Sequence, residues 1–211
     1  MYIDGFNWYY GIFRRKPEWK WLNVQSFFEE LRKDDDVLKI RLFTALVGPD
    51  HRWSEARDRQ KRFLKALSSL SKVEIVLGYF QMREKRCLAT CGETYGEPEE
   101  KKTDVNIAVS MISDAVDGKT DSIVLVSGDS DIQPSIQWVR ERFPKIKVTV
   151  YIPSLDFEEK ERRSDFYRQI NVPCKFLPID HLKDHQLPDK MFLSGGGTVE
   201  RPALWRKSAT P

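Results

Sequence analysis

Two short stretches of this chain hold carboxylates in positions that could do chemistry. One is Asp4-Gly5-Phe6-Asn7, directly after the apolar start of the chain. The other is Ser127-Gly128-Asp129-Ser130-Asp131, directly after the apolar run at 122–126. A further carboxylate, Asp104, follows Lys102-Thr103 at the start of a helical pattern. Neither of the first two stretches contains Lys or Arg. Carboxylates held close together repel, and each raises its neighbour's pKa unless a cation intervenes. Oxygen-only donors suit Mg2+ or Mn2+, which favour octahedral oxygen coordination and keep several waters. Water on such an ion is a ready nucleophile for phosphodiester hydrolysis. Each Asp alone also has a plain reading as a turn former or a helix cap. Asp131, three residues before Pro134, could simply open the next helix. The joint pattern is more specific than any of its members.

The elements that must position these acids alternate. Strand patterns fall at residues 1–3, 38–47, 73–80, 122–126, 146–152 and 174–177. Their apolar residues lack strict alternation, as expected of parallel strands buried on both faces. Helical patterns fall at 24–32, 53–70, 103–116, 135–143 and 158–170. The second places Trp53, Ala56, Phe63, Leu67 and Leu70 on one stripe, and the third places Val105, Val109, Ile112 and Val116 on one face. The expected fold is α/β, a three-layer sandwich with a mostly parallel central sheet and helices on both faces. Ligands bind such sheets beyond the carboxyl ends of the strands, where the acids fall. The first strand would be a stub. The strand at 122–126 should be central and that at 174–177 near an edge, where a second copy could pair, so a homodimer is possible. Residues 83–102 read as a long polar loop. The domain is expected over 1–184, with an irregular tail over 185–211.

Ile3-Asp4-Gly5-Phe6-Asn7, Lys102-Thr103-Asp104-Val105 and Leu125-Val126-Ser127-Gly128-Asp129-Ser130-Asp131 together resemble the NYN domain of the PIN-like nuclease superfamily. The order and spacing match over roughly residues 1 to 182. The resemblance implies metal-dependent cleavage of RNA by an endoribonuclease. Residue by residue, Asp4, Asp104 and Asp129 match the family's metal-binding acids. Asp131 matches a fourth that binds metal directly or through water. Asn7 matches an Asn that orients the first acid or touches substrate, and Ser127 the Ser before the third acid. On this reading a metal-bound water attacks phosphorus in line. The alternatives are a nucleic-acid-binding or regulatory adaptor without activity, and a DNA nuclease or phosphatase built from the same acids.

The chain has 211 residues, with 35 Lys plus Arg against 32 Asp plus Glu, a net charge of +3. That near balance excludes a protein that coats polyanions by bulk charge. It leaves room for local excesses: an acidic rim, and basic residues beside it. Arg83, Lys85, Arg86 and Lys101 are the candidates to track RNA phosphates (DNA is not excluded), and Lys102 could meet a phosphate oxygen. Trp8 and Tyr9 could stack bases. Cys87 and Cys91, with no second ligand pair nearby, read as free thiols. No apolar run approaches the 18 or so residues of a membrane span. The odd Cys count, and a start without the basic region and apolar stretch of a signal peptide, lead to the expectation of a cytoplasmic protein.

Overall fold

Six parallel strands form the central sheet of this computed structural model, which describes residues 1–48, 54–88, 91–193 and 195–206. They are β1 (Tyr2–Asp4), β2 (Ile40–Thr44), β3 (Val73–Leu77), β6 (Ser122–Val126), β7 (Lys147–Ile152) and β8 (Cys174–Phe176). Their order across the sheet is β3-β2-β1-β6-β7-β8. From β1 the chain runs outward to β2 and β3, then returns past β1 and runs outward the other way. The switch point therefore lies between β1 and β6. The crevice outside the carboxyl ends at such a point is where open α/β sheets bind ligands. The stub β1 is central, paired through Tyr2, Ile3 and Asp4 to β2 and through Tyr2 and Ile3 to β6. The strand at 122–126 is central and β8 lies at an edge, as the pattern predicted.

Both faces of the sheet are covered. In β6, Val124 and Val126 enter one core cluster while Ile123 and Leu125 enter the other, which explains the unbroken apolar run. The first cluster is closed by α2 (Val24–Leu31) and α3 (Ser54–Leu67), which supply Val24, Phe27, Phe28, Ala66 and Leu67. The second is closed by α4 (Thr103–Val116), α5 (Gln133–Arg142) and α6 (Phe157–Arg168). The expected start of the second helix at Trp53 lies outside the described residues.

Three expectations change. The helix α4 buries Thr103, Ile107, Met111 and Ala115, one residue every four. The valine stripe instead faces solvent: Val105 is 63% exposed, Val109 60% and Val116 57%. An ion pair decides the rotation. Asp114 accepts from both terminal guanidinium nitrogens of Arg41 on β2, Nη1 and Nη2, and from the Tyr2 hydroxyl at 2.6 Å. Burial opposes the charge on Asp114, but these hydrogen bonds hold its carboxyl below the usual range. That anchor lies about 15 Å along the helix from Asp104, so it also aims Asp104.

The expected loop at 83–102 is mostly a hairpin of β4 (Tyr79–Arg86) and β5 (Thr94–Lys101), paired from Tyr79–Lys101 to Arg86–Thr94. Phe6 packs edge-on against Phe80 at the hairpin's base, 5.6 Å between centroids. The segment after residue 185 forms a second hairpin, β9 (Lys190–Phe192) with β10 (Thr198–Glu200). It also sends Leu187, Val199 and Trp205 into the first core cluster. The Trp205 ring lies 6.3 Å from Trp21 and 6.0 Å from Phe63, and the Trp21 indole N–H donates to the Pro188 carbonyl at 2.8 Å. Trp205→Ala should therefore lower unfolding free energy by about 3 kcal/mol, read by urea denaturation. An unchanged midpoint would show that this segment is not part of the cooperative fold.

Candidate active site

Asp4 ends β1 and caps the short helix α1 (Gly5–Trp8). Its side chain is buried at 1% exposure and accepts four hydrogen bonds. Oδ1 accepts the backbone N–H of Phe6 and Asn7, both at 3.0 Å. Oδ2 accepts Asn7 Nδ2 at 2.6 Å and Ser127 Oγ at 2.8 Å. Burial raises the Asp4 pKa, and these hydrogen bonds pull it back. Ser127 in turn accepts the Asp129 backbone N–H at 3.0 Å, so one hydroxyl joins the ends of β1 and β6. Asp129 caps the turn that follows, accepting the Asp131 N–H at 2.9 Å, and Tyr167 of α6 donates its hydroxyl to the Asp129 carbonyl. Asp131 is exposed, three residues before Pro134. Asp131 does not cap α5, whose N-cap Ile132 makes no side-chain cap; Asp129 caps the turn before it.

Asp104 sits in the first turn of α4. The residue before that helix, Lys102, is held at φ 78°, a left-handed conformation that costs a non-glycine residue of order 1 kcal/mol. Glu100 sustains the turn by accepting from the Thr103 backbone N–H at 3.1 Å and from the Thr103 hydroxyl. Asp104 is pushed up to about 7, first by burial and then by the charges of Asp4, Asp129, Glu100 and Asp131. The structure thus brings all four predicted acids into one electrostatic neighbourhood and adds Glu100. Among the described residues no three acidic, histidine or cysteine side chains stand close enough together to grip an ion directly. The donor set still fits a hard cation. It is all oxygen and strongly negative, and no hydrogen bond reaches the Asp104 carboxylate among the described residues. Mg2+ commonly takes one or two carboxylates directly and keeps its waters for the rest.

The predicted substrate-facing residues divide. Trp8 is 2% exposed, packed 5.1 Å from Phe13 and 5.7 Å from Phe28, so it is core and cannot stack a base. Tyr9 is exposed, edge-on to Tyr10 at 5.2 Å, with Lys20 Nζ 4.9 Å from its ring. On the hairpin, Arg83 pairs with Glu99 at 3.3 Å, Lys85 with Glu97, and Lys101 with Glu99 at 2.9 Å. Arg86 donates to the Gly92 carbonyl at 3.3 Å. Lys102 Nζ lies 4.8 Å from the Tyr79 ring centroid. Cys87 and Cys91 are free thiols.

Sequence reasoning gave no role at the rim to three residues. Glu100 lies in the stretch that reads as a polar loop. Arg163 and Tyr167, one turn apart on α6, reach the rim from far along the chain. The signal for Arg163 is indirect: Gly128 leaves the space its side chain fills. A Cβ on Gly128 would fall 2.5 Å from Arg163 Cδ and 2.6 Å from Nη1.

The sequence matches the NYN domain family over residues 1–170. It is 28% identical, over 97% of its length and 74% of the relative's, to 6-hydroxy-3-succinoylpyridine 3-monooxygenase HspA of Pseudomonas putida (strain DSM 28022 / S16). A crystal structure of a protein of unknown function from Vibrio parahaemolyticus RIMD 2210633 superposes with a TM-score of 0.44 at 19% identity. The match covers 88% of this chain and 93% of that one. No helix among the described residues is long and apolar enough to cross a membrane.

The raised Asp104 pKa has a measurable consequence. An unfolded Asp releases its proton near pH 3.9, whereas folded Asp104 keeps it to about 7. Between these values the folded state binds more protons than the unfolded state, so this group's contribution to stability falls as pH rises and is lost above 7. The metal-free Asp104→Asn protein should therefore melt progressively higher than wild type as pH goes from 5 to 8. A difference that stays constant with pH would show that the neighbouring acids do not press on Asp104.

Proposed function

We propose, from the premise that the chain belongs to the NYN domain family, a nuclease-type family, that it is a divalent-metal-dependent endoribonuclease. The observation that carries this reading is the crowding of Asp4, Asp104, Asp129, Asp131 and Glu100 at the switch point of the sheet, where Asp104 is driven to about 7. Once Asp104 has lost its proton, such a rim favours a neutralising cation. Asp104, Asp129 and Asp131 would hold the ion partly through its waters, with Asp4 as the buried charge behind them. Mg2+ or Mn2+ bound there would acidify a water and offset the charge that develops on a phosphodiester. Asn7 and Ser127 keep the Asp4 carboxylate in one orientation. Lys102 lies beside the acids and can exchange its aromatic contact for a phosphate oxygen. The hairpin cations Arg83, Lys85 and Lys101 sit in exposed ion pairs. Such pairs are worth roughly 0–1 kcal/mol, so an RNA backbone can compete for them. Tyr9 offers an exposed ring for a base.

A second reading follows the named relative and its 28% identity along nearly the whole chain: monooxygenation of a hydroxylated pyridine. One pair of assays separates the two. Single-stranded and structured RNA should be cut in Mn2+ or Mg2+, and Asp129→Asn should slow cleavage about 100-fold or more. Equal rates for wild type and variant, with contaminating nuclease excluded, would overturn the nuclease reading. Oxygen uptake on adding 6-hydroxy-3-succinoylpyridine and a reduced nicotinamide or flavin would support the second. Mn2+ at pH 8 should also raise the melting temperature of wild type, with a smaller rise in Asp104→Asn.

A further inference from the structure

We propose that Arg163 is a positioning residue for the acidic rim, acting on Asp4 through Asn7. The inference rests on the nuclease reading for its consequence but not for its geometry. The Asn7 amide is shared by three groups. Its Nδ2 donates to Asp4 Oδ2 at 2.6 Å, while its Oδ1 accepts the Gly128 backbone N–H at 3.1 Å and the Arg163 guanidinium. An amide is nearly symmetric in shape, so only its partners decide which way it points. Here the partners leave no choice. Gly128 N–H and Arg163 can only donate, and Asp4 as a carboxylate can only accept. A flipped amide would set donors against donors and oxygen against oxygen. A charged donor on Oδ1 also polarises the amide, which strengthens the bond from Nδ2 to Asp4.

Arg163 is itself held. Its Nη2 donates to Glu159 Oε1 at 2.7 Å, one turn earlier on α6. Glu159 accepts the Ser154 hydroxyl at 2.6 Å, and that hydrogen bond keeps its carboxyl below the usual range. A continuous path thus runs Ser154–Glu159–Arg163–Asn7–Asp4–Ser127–Asp129. It ties the loop after β7 and the helix α6 to the ends of β1 and β6. Gly128 completes the device, because any side chain there would collide with the guanidinium.

The test uses Arg163→Met, Arg163→Lys and Gly128→Ala, each confirmed folded by circular dichroism. The first readout needs no metal. In 15N-labelled protein, the Asn7 side-chain amide, assigned by its loss in Asn7→Ser, should give resolved, exchange-protected signals. These should broaden or shift in Arg163→Met and Gly128→Ala. The second is the Mn2+ concentration needed to raise the melting temperature, which should increase about tenfold or more in both variants, with Arg163→Lys between them and wild type. Unchanged Asn7 signals would overturn the proposal. So would unchanged Mn2+ dependence in variants of a protein whose wild type binds Mn2+. A rise in KM for RNA with Mn2+ affinity unaltered would overturn it too, by placing Arg163 on the substrate. If wild type neither binds Mn2+ nor cuts RNA while the Asn7 signals still depend on Arg163, the nuclease reading fails and the positioning role stands.

Discussion

A carboxylate buried at the end of a central strand is the constraint on which this fold turns. Asp4 is almost wholly out of water, and an unpaired charge there would cost several kcal/mol. The chain meets that cost with four hydrogen bonds, and their origins dictate much of the architecture. Two come from backbone amides, so a helix must begin immediately at Gly5. One comes from Ser127, so the end of β6 must lie beside the end of β1. One comes from Asn7, whose other side is gripped by Gly128 and Arg163. The stub β1 can be only three residues long because it is pinned by both neighbouring strands and by this capped carboxylate.

The same site shows how charge is distributed over a chain of nearly zero net charge. At the carboxyl rim, burial and then the charges of Asp4, Asp129, Glu100 and Asp131 press on Asp104. The basic margin is less simple, because the hairpin sets Glu97 opposite Arg83 and draws Glu97 and Glu99 into diagonal ion pairs with Lys85 and Arg83. A list of cations near the rim therefore overstates the positive field there. Exposed pairs of this kind are weak and screened, so they hold the hairpin's side chains without locking them.

How much of this was legible in sequence follows from how local each decision is. The parallel strands were readable because burial on both faces writes an unbroken apolar run, and strand ends followed from them. The acids were readable because strand-end position and lack of nearby cations are both local. The rotation of α4 was not. That helix carries two apolar stripes, Ile107-Met111-Ala115 and Val105-Val109-Val116, each at helical spacing. Periodicity cannot choose between them, and the choice is made by Asp114 meeting Arg41, more than seventy residues away. Trp8 failed for a related reason. An aromatic beside an acid can face out or in, and Phe13 and Phe28 provide the pocket that draws it in. Arg163 lies 156 residues from Asn7, and no local pattern marks it.

Within the rim the acids are not equivalent, and hydrogen bonding is what separates them. Each Asp4 oxygen already accepts two hydrogen bonds, which fills the roughly four lone-pair positions of a carboxylate. Asp129 accepts the Asp131 N–H on Oδ1. The Asp104 carboxylate receives no hydrogen bond among the described residues and carries the pressure of its neighbours. Asp4 is therefore a fixed charge whose solvation is supplied in advance by the protein, and Asp104 is one whose solvation is left to something else. A cation recruited to such a rim gains most at Asp104, where it displaces a proton, and least at Asp4, where it must compete with four donors. In the proposed nuclease this makes Asp4 the template and Asp104 the acceptor.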